Sequence, residues 1–201
     1  MQLYMNQRSP FARKVRVVAF ETGTDGDLEC VELDTAADRP SRRLLTCNPL
    51  AKIPTLILAD GVSLHDSAVI CEYLNSVSTT RSVLPIKYDD RIACLKRQSM
   101  ADGILDLLVG WRTQTLTGVL SKELLRGNVT KLAYWLRAVE AENRPAEAPL
   151  DLGDIAVGCA FGYLDFRYKS IDWRRHAPLS ALWFDSVAIS SSFKRTPHGT
   201  T

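Results

Sequence analysis

The sequence has no C-x-x-C pair, no long uncharged apolar run, only three histidines and almost no net charge, and each of these absences removes a class of protein. Its five cysteines, at positions 30, 47, 71, 94 and 159, are odd in number and widely spread. That usage suits reduced thiols in a cytosol, not a disulfide framework or a zinc site. The longest uncharged apolar stretch, Ile155 to Leu164, is about half of a membrane span. Arg8, Arg13, Lys14 and Arg16 interrupt the first twenty residues, so a secretory leader is not expected either. His65, His176 and His198 share no metal-ligand spacing, and no metal is expected. With a net charge of +2 there is no strong overall field, and the early basic cluster is interleaved with apolar residues at helical spacing instead of exposed aromatics. Nucleic acid and membrane are therefore not expected partners; a soluble, cytoplasmic protein is.

What is present is an ordinary globular composition, 46% hydrophobic and 24% charged over 201 residues, enough for one to two domains of about 100 residues each. Gln2 to Met5 reads as a strand. Ser9-Pro10 is a strong helix start, a hydroxyl at the N-cap followed by proline at the first helical position. Phe11, Ala12, Val15, Val18 and Ala19 then mark one helical face, and Gly23 is placed to end it. Leu28 to Leu33 is a second strand candidate whose facing its mixed pattern leaves open, which makes a β-α-β unit. Ser41 to Cys47 reads as a short helix before Asn48-Pro49. Thr55 to Ala59 and Val62 to Leu64 flank Asp60-Gly61, a hairpin signal, and Asp66-Ser67 caps a helix with apolar Val69, Ile70, Tyr73, Leu74 and Val77.

Composition shifts at Ser76 to Ser82, rich in serine and threonine and followed by Pro85, so a linker is expected there. Beyond it every periodic segment is helical. Either Asp89 or Asp90 opens a long helix through Trp111, and either Asn128 or Thr130 opens another through Leu132, Tyr134, Leu136 and Val139. Asp151 and Asp154 form a capping-box variant before an apolar helix, and Pro178 starts a last helix through Leu182, Trp183 and Val187. Trp111 and Tyr134 are expected in the core, and the polar tail from Ser190 is expected to be loosely held.

The layout β-α-β, β-β-α and then an all-helical half resembles that of the glutathione S-transferases, and three segments carry the resemblance. Ser9-Pro10-Phe11-Ala12-Arg13-Lys14-Val15-Arg16 is similar to the segment bearing the activating residue in the tau and omega classes and in many bacterial members. Asn48-Pro49-Leu50-Ala51-Lys52-Ile53-Pro54-Thr55-Leu56 resembles the family's glutathione-binding loop, and Leu64-His65-Asp66-Ser67-Ala68 with the helix after it resembles its acid-serine pair. Leu152-Gly153-Asp154-Ile155-Ala156 and Ala181-Leu182-Trp183-Phe184 resemble the core and final helices of the second domain. The resemblance implies an α/β thioredoxin-like N-terminal domain over 1–77 and an all-α C-terminal domain over 87–201, a homodimer, and a detoxifying conjugation with glutathione as co-substrate.

It also implies roles. A free thiol with a reference pKa near 8.5 is mostly protonated at neutral pH, while the thiolate is the nucleophile. Ser9, which by itself would be only a cap, becomes the donor of a hydrogen bond to the glutathione sulfur at the positive end of a helix. Phe11 joins the glutathione-contacting residues, the main chain of Ile53 before a cis Pro54 pairs with the cysteinyl part, and Lys52 balances the glycyl carboxylate. Ser67 with the backbone amides beside it holds the γ-glutamyl carboxylate while Asp66 accepts from its ammonium group; Asp66 stands where relatives carry glutamate, a methylene longer. Because position 9 is serine and not cysteine, thiolate attack on a small hydrophobic electrophile is favoured over exchange through an enzyme disulfide. Glutathione-dependent isomerisation or ether cleavage, and a non-catalytic partner-binding protein on the same fold, are the alternatives.

Overall fold

The computed structural model describes residues 1–35, 39–142, 145 and 148–199. The chain runs β1 (Gln2–Met5), α1 (Pro10–Glu21), β2 (Glu29–Glu32), α2 (Arg42–Leu45), β3 (Thr55–Ile57), β4 (Ser63–Leu64) and α3 (Ser67–Ser76). Helices α4 (Tyr88–Leu116), α5 (Lys122–Glu142), α6 (Leu152–Arg167), α7 (Pro178–Ala188) and α8 (Ser191–Arg195) follow. The strands form one sheet in the order β2-β1-β3-β4, with β1 parallel to β2 and the β1–β3 and β3–β4 pairs antiparallel. This is a thioredoxin-like sheet region followed by a helical region.

Local chemistry accounts for the element boundaries. Ser9 caps α1, its Oγ accepting from the Ala12 amide at 3.2 Å. Gly23, at φ 70°, follows the last residues of that helix, a left-handed position that glycine adopts without cost. Strand β2 is an edge strand with Glu29, Cys30 and Glu32 exposed, which explains why its alternation is hard to read. The Asp151–Asp154 capping box is complete: the Asp154 amide donates to Asp151 Oδ1 at 2.9 Å and the Asp151 amide to Asp154 Oδ2 at 3.1 Å. Arg97 of α4 is ion-paired with Asp151, so the start of α6 is held both locally and across the helix pair. Gly153 permits that approach, since a β-carbon there would lie 2.6 Å from the Cys94 carbonyl oxygen.

The core is continuous between the sheet region and the helices. Lys14 of α1, fully buried, donates to both carboxylate oxygens of Asp102 on α4 at 2.6 and 2.7 Å. Burial pushes the Asp102 carboxyl upward while Lys14 opposes it. Arg13 is buried too, its guanidinium against the Phe193 ring and 3.4 Å from the Phe193 carbonyl. Two members of the early basic cluster are thus internal connectors between α1 and the helical region.

Four expectations are corrected. Helix α4 starts at Tyr88 with Lys87 at its N-cap, leaving Asp89 and Asp90 in the first turn where they favour the helix dipole. Helix α5 starts at Lys122, well before Asn128 or Thr130, because Ser121 provides the cap, its Oγ accepting from the Leu124 amide at 3.1 Å. Tyr134 is 67% exposed, on the outer face of α5. The tail is not loose: α8 buries Phe193, and the Gly199 amide donates to the Gln7 carbonyl at 3.2 Å, while Thr200 and Thr201 lie outside the described residues.

Candidate active site

A cavity of about 680 Å³ opens between the β1–α1 loop, the loop before β3 and the inner sides of α4 and α6. Asn6, Arg8, Ser9, Pro10 and Phe11 line it from the first loop and Leu50, Ala51, Lys52 and Ile53 from the second. Asp106, Val109, Arg112 and Leu116 contribute from α4, and Tyr163 and Arg167 from α6. A recess beside Arg97, Glu142 and Trp183 has about 20 Å³, room for little more than a water molecule.

Ser9 reaches the cavity because the N-cap position is where the chain changes direction into α1. Its Oγ accepts from the Ala12 amide through a lone pair, and among the described residues no acceptor takes its hydrogen. A hydroxyl has one hydrogen and two lone pairs, so capping the helix and donating to a ligand sulfur do not compete. The helix dipole adds positive potential at the same point.

The second loop owes its shape to Asn48, the residue that opens it. Its Nδ2 donates to the Lys52 carbonyl at 3.1 Å and to Thr55 Oγ1 at 2.9 Å, and its Oδ1 accepts from the Leu50 amide at 2.9 Å. Thr55 Oγ1 in turn donates to the Lys52 carbonyl at 2.8 Å. Asn48 is 1% exposed, so these bonds are made away from water, where leaving any of them unmade is expensive. Within this frame Ala51 takes φ 48° and the Ile53–Pro54 peptide is cis. Lys52 is exposed at the rim.

Of the residues expected at the site, Ser9, Phe11, Lys52 and Ile53 come together on this cavity; Asp66 and Ser67 are not among its lining residues. They sit at the N-terminus of α3, where Asp66 Oδ1 accepts from the Ala68 amide at 3.0 Å and Ser67 is buried.

The helical side brings residues that sequence reasoning missed altogether. Burial raises the Tyr163 hydroxyl above its ordinary pKa, with Arg167 and Arg112 pulling the other way. Burial also lowers Arg167, and the neighbouring charges of Arg112 and Arg8 add to that. The Arg167 guanidinium lies 3.8 Å from the Phe166 ring centroid. His198 lies parallel to the same Phe166 ring with centroids 4.8 Å apart, and burial with the charges of Arg13 and Arg167 pushes its imidazole down to about 3. Cys71 and Cys159 are buried thiols raised to about 12 and about 11, and Cys94 to about 11, so none of the three supplies a thiolate. Among the described residues no group of three or more His, Cys, Asp or Glu is placed to hold a metal.

Comparison with known proteins agrees with this geometry. A family model described as the glutathione S-transferase N-terminal domain matches residues 8–77. The curated GST-like protein YibF of Escherichia coli strain K12, described as uncharacterized, is 29% identical over 98% of each chain. A glutathione transferase family member from Pseudomonas fluorescens Pf-5, solved with bound glutathione, is 32% identical, covers 99% of each chain and superposes with a TM-score of 0.93. Its structure with bound S-(propanoic acid)-glutathione gives 30% identity over the whole of both chains and a TM-score of 0.89. With the fold, the cavity and these likenesses in agreement over essentially the whole chain, the protein belongs to the glutathione S-transferase family.

Proposed function

We propose that the protein is a glutathione transferase in which Ser9 stabilises the thiolate of bound glutathione for attack on an electrophilic carbon. The observation that carries this is the Ser9 hydroxyl itself, which opens on the cavity from the positive end of α1 with no acceptor for its hydrogen among the described residues. The thiol gives up its proton to solvent, the sulfur forms a bond to the carbon, and a leaving group departs with the electron pair of the bond that breaks. Ser9 stays neutral throughout and donates to the sulfur while it bears charge.

Phe11, Lys52 and Ile53 hold the tripeptide in this scheme: the Ile53 main chain pairs with the cysteinyl unit, and the Lys52 ammonium balances the glycyl carboxylate. The γ-glutamyl pole lies toward α3, where the Ser67 amide and hydroxyl receive its carboxylate and Asp66, one oxygen of which is spent on its own cap, accepts from the ammonium. The Pseudomonas relative, which holds both glutathione and a glutathione bearing a sulfur-linked substituent, supports placing the two substrates side by side in one cavity. Residues 1–77 and 87–201 are the two domains on this reading. A homodimer fits the exposed apolar residues Val62, Val69 and Ile92. The five free cysteines fit a reducing, cytoplasmic setting.

Turnover of glutathione with 1-chloro-2,4-dinitrobenzene, compared between the wild type and Ser9→Ala, tests the proposal. The expected result is a loss in kcat/KM of about 10- to 100-fold with the glutathione Kd within about twofold. Equal turnover by the two proteins contradicts it.

A further inference from the structure

Resting on the transferase reading above, we propose that the electrophile carries a carboxylate, received by Arg112 of α4 and Arg167 of α6 on the helical wall of the cavity. Four basic side chains, Arg8, Lys52, Arg112 and Arg167, face this cavity against one acidic one, Asp106. Two of the four are accounted for. Arg8 pairs with Asp34 at 2.9 Å, and Lys52 stands on the loop that takes the tripeptide backbone.

Arg112 and Arg167 have no carboxylate partner among the described residues, and Arg112 lies close enough to Arg167 to add to the burial that disfavours the charge of Arg167. Like charges brought together in a half-buried wall are unfavourable in the empty protein, and an anion placed between them removes that cost. The Arg167 Nε is buried with no hydrogen-bond partner among the described residues, while its guanidinium has a side-chain hydrogen bond with Tyr163. Its guanidinium is pinned over Phe166, so little side-chain freedom remains to be lost when a ligand arrives.

Arginine offers paired N–H donors in a plane, the geometry that fits the two oxygens of a carboxylate. Tyr163, next to both arginines, keeps its proton because burial raises its pKa, and adds a neutral donor. Val109 and Leu116 line the same side of the cavity, so the body of the electrophile meets apolar surface while its anionic end meets the arginines. A purely hydrophobic electrophile, the class expected from sequence, would leave these cations facing it unpaired. Asp106 is exposed at the opening and weakens the positive field without cancelling it.

Calorimetric titration with two near-isosteric conjugates, S-(carboxymethyl)glutathione and S-(carbamoylmethyl)glutathione, separates the possibilities. The wild type should bind the carboxymethyl conjugate about tenfold more tightly at low salt, and the preference should shrink as salt is raised. Arg112→Gln and Arg167→Gln should each lose most of that preference while binding glutathione itself within about twofold of the wild type. Arg112→Lys and Arg167→Lys, which keep the charge but not the fork, should retain part of it.

No preference in the wild type overturns the assignment. So does a large loss of glutathione affinity in the arginine variants, because it would place these side chains on the carboxylates of the tripeptide instead. A wild type that binds neither glutathione nor either conjugate overturns the transferase reading, and this assignment falls with it; glutathione binding without discrimination overturns this assignment alone.

Discussion

On the sheet side of the cavity, Asn48, Lys52 and Thr55 are tied to one another within one short stretch of chain; on the helical side Arg112 comes from α4 while Tyr163 and Arg167 come from α6. The first wall is built from hydrogen bonds to main-chain atoms, which fix the positions of amides and carbonyls. The second is built from side chains of helices that meet through apolar packing, and its chemistry depends on which residue happens to face inward. A wall of the first kind suits a ligand that never changes. One of the second kind alters its specificity through single side chains without disturbing the fold, which is how one fold serves many substrates.

Beside the Arg13–Phe193 contact, two connectors hold the walls together. One is the buried Lys14–Asp102 pair between α1 and α4. The other is the tail, which stacks His198 on Phe166 of α6 and bonds Gly199 to Gln7 in the loop that presents Ser9. Breaking these connectors, or the framework of one wall alone, tests how independent the walls are.

The largest effect is expected from Lys14→Met. It removes the cation and leaves Asp102 largely buried and unpaired, at a cost of about 3 kcal/mol in unfolding free energy, measured by denaturant titration. Both walls should suffer together, with affinity for glutathione and turnover falling in parallel.

Asn48→Ala should cost about 2 kcal/mol, since it removes three hydrogen bonds, one of them to buried Thr55, and leaves the Leu50 amide without its acceptor while Thr55 Oγ1 still donates to the Lys52 carbonyl. Here the two walls should separate. Glutathione Kd should rise strongly, while the ratio of affinities for charged and neutral conjugates stays as in the wild type. A change in that ratio would mean that the walls are not independent.

Much of the first wall was legible in the sequence because it is local. Ser9-Pro10 announces a capped helix from two adjacent residues, and Asn48 through Leu56 has the spacing of the family's loop, although the part Asn48 itself plays emerged only with its hydrogen bonds. The Asp151–Asp154 box was readable for the same reason, as a reciprocal pair one turn apart. The second wall was not legible. Arg112 and Arg167 look in sequence like two surface arginines among many, and only the packing of α4 against α6 turns them to one cavity. The tail was misread on polarity, because a single buried aromatic, Phe193, outweighs its serines and threonines. The start of α5 was missed because Gly127-Asn128 reads as a break, although Leu125, Val129, Leu132 and Leu136 already keep helical spacing across it.

A smaller effect concerns the tail and acid. His198 titrates near 6.5 when unfolded and near 3 when folded, so the unfolded chain binds the proton more readily in between. Its contribution to stability is fully present above about pH 6.5 and is lost progressively as pH falls toward 3, which amounts to about 2 kcal/mol at pH 5. His198→Phe preserves the stacking and should flatten this dependence; thermal melts of both proteins from pH 7.5 to 5 measure it. An unchanged slope would remove His198 from the link between the walls.

The central claim is that the hydroxyl at the end of α1 stabilises a sulfur anion. Ultraviolet titration of the thiolate of bound glutathione in the wild type and in Ser9→Ala tests it most directly. The Ser9 hydroxyl should hold the thiol pKa about one to two units below its value in Ser9→Ala, a differential of about 1.4 kcal/mol per unit, with glutathione affinity nearly unchanged. The same thiol pKa in both proteins would contradict the claim and leave Ser9 as a helix cap alone.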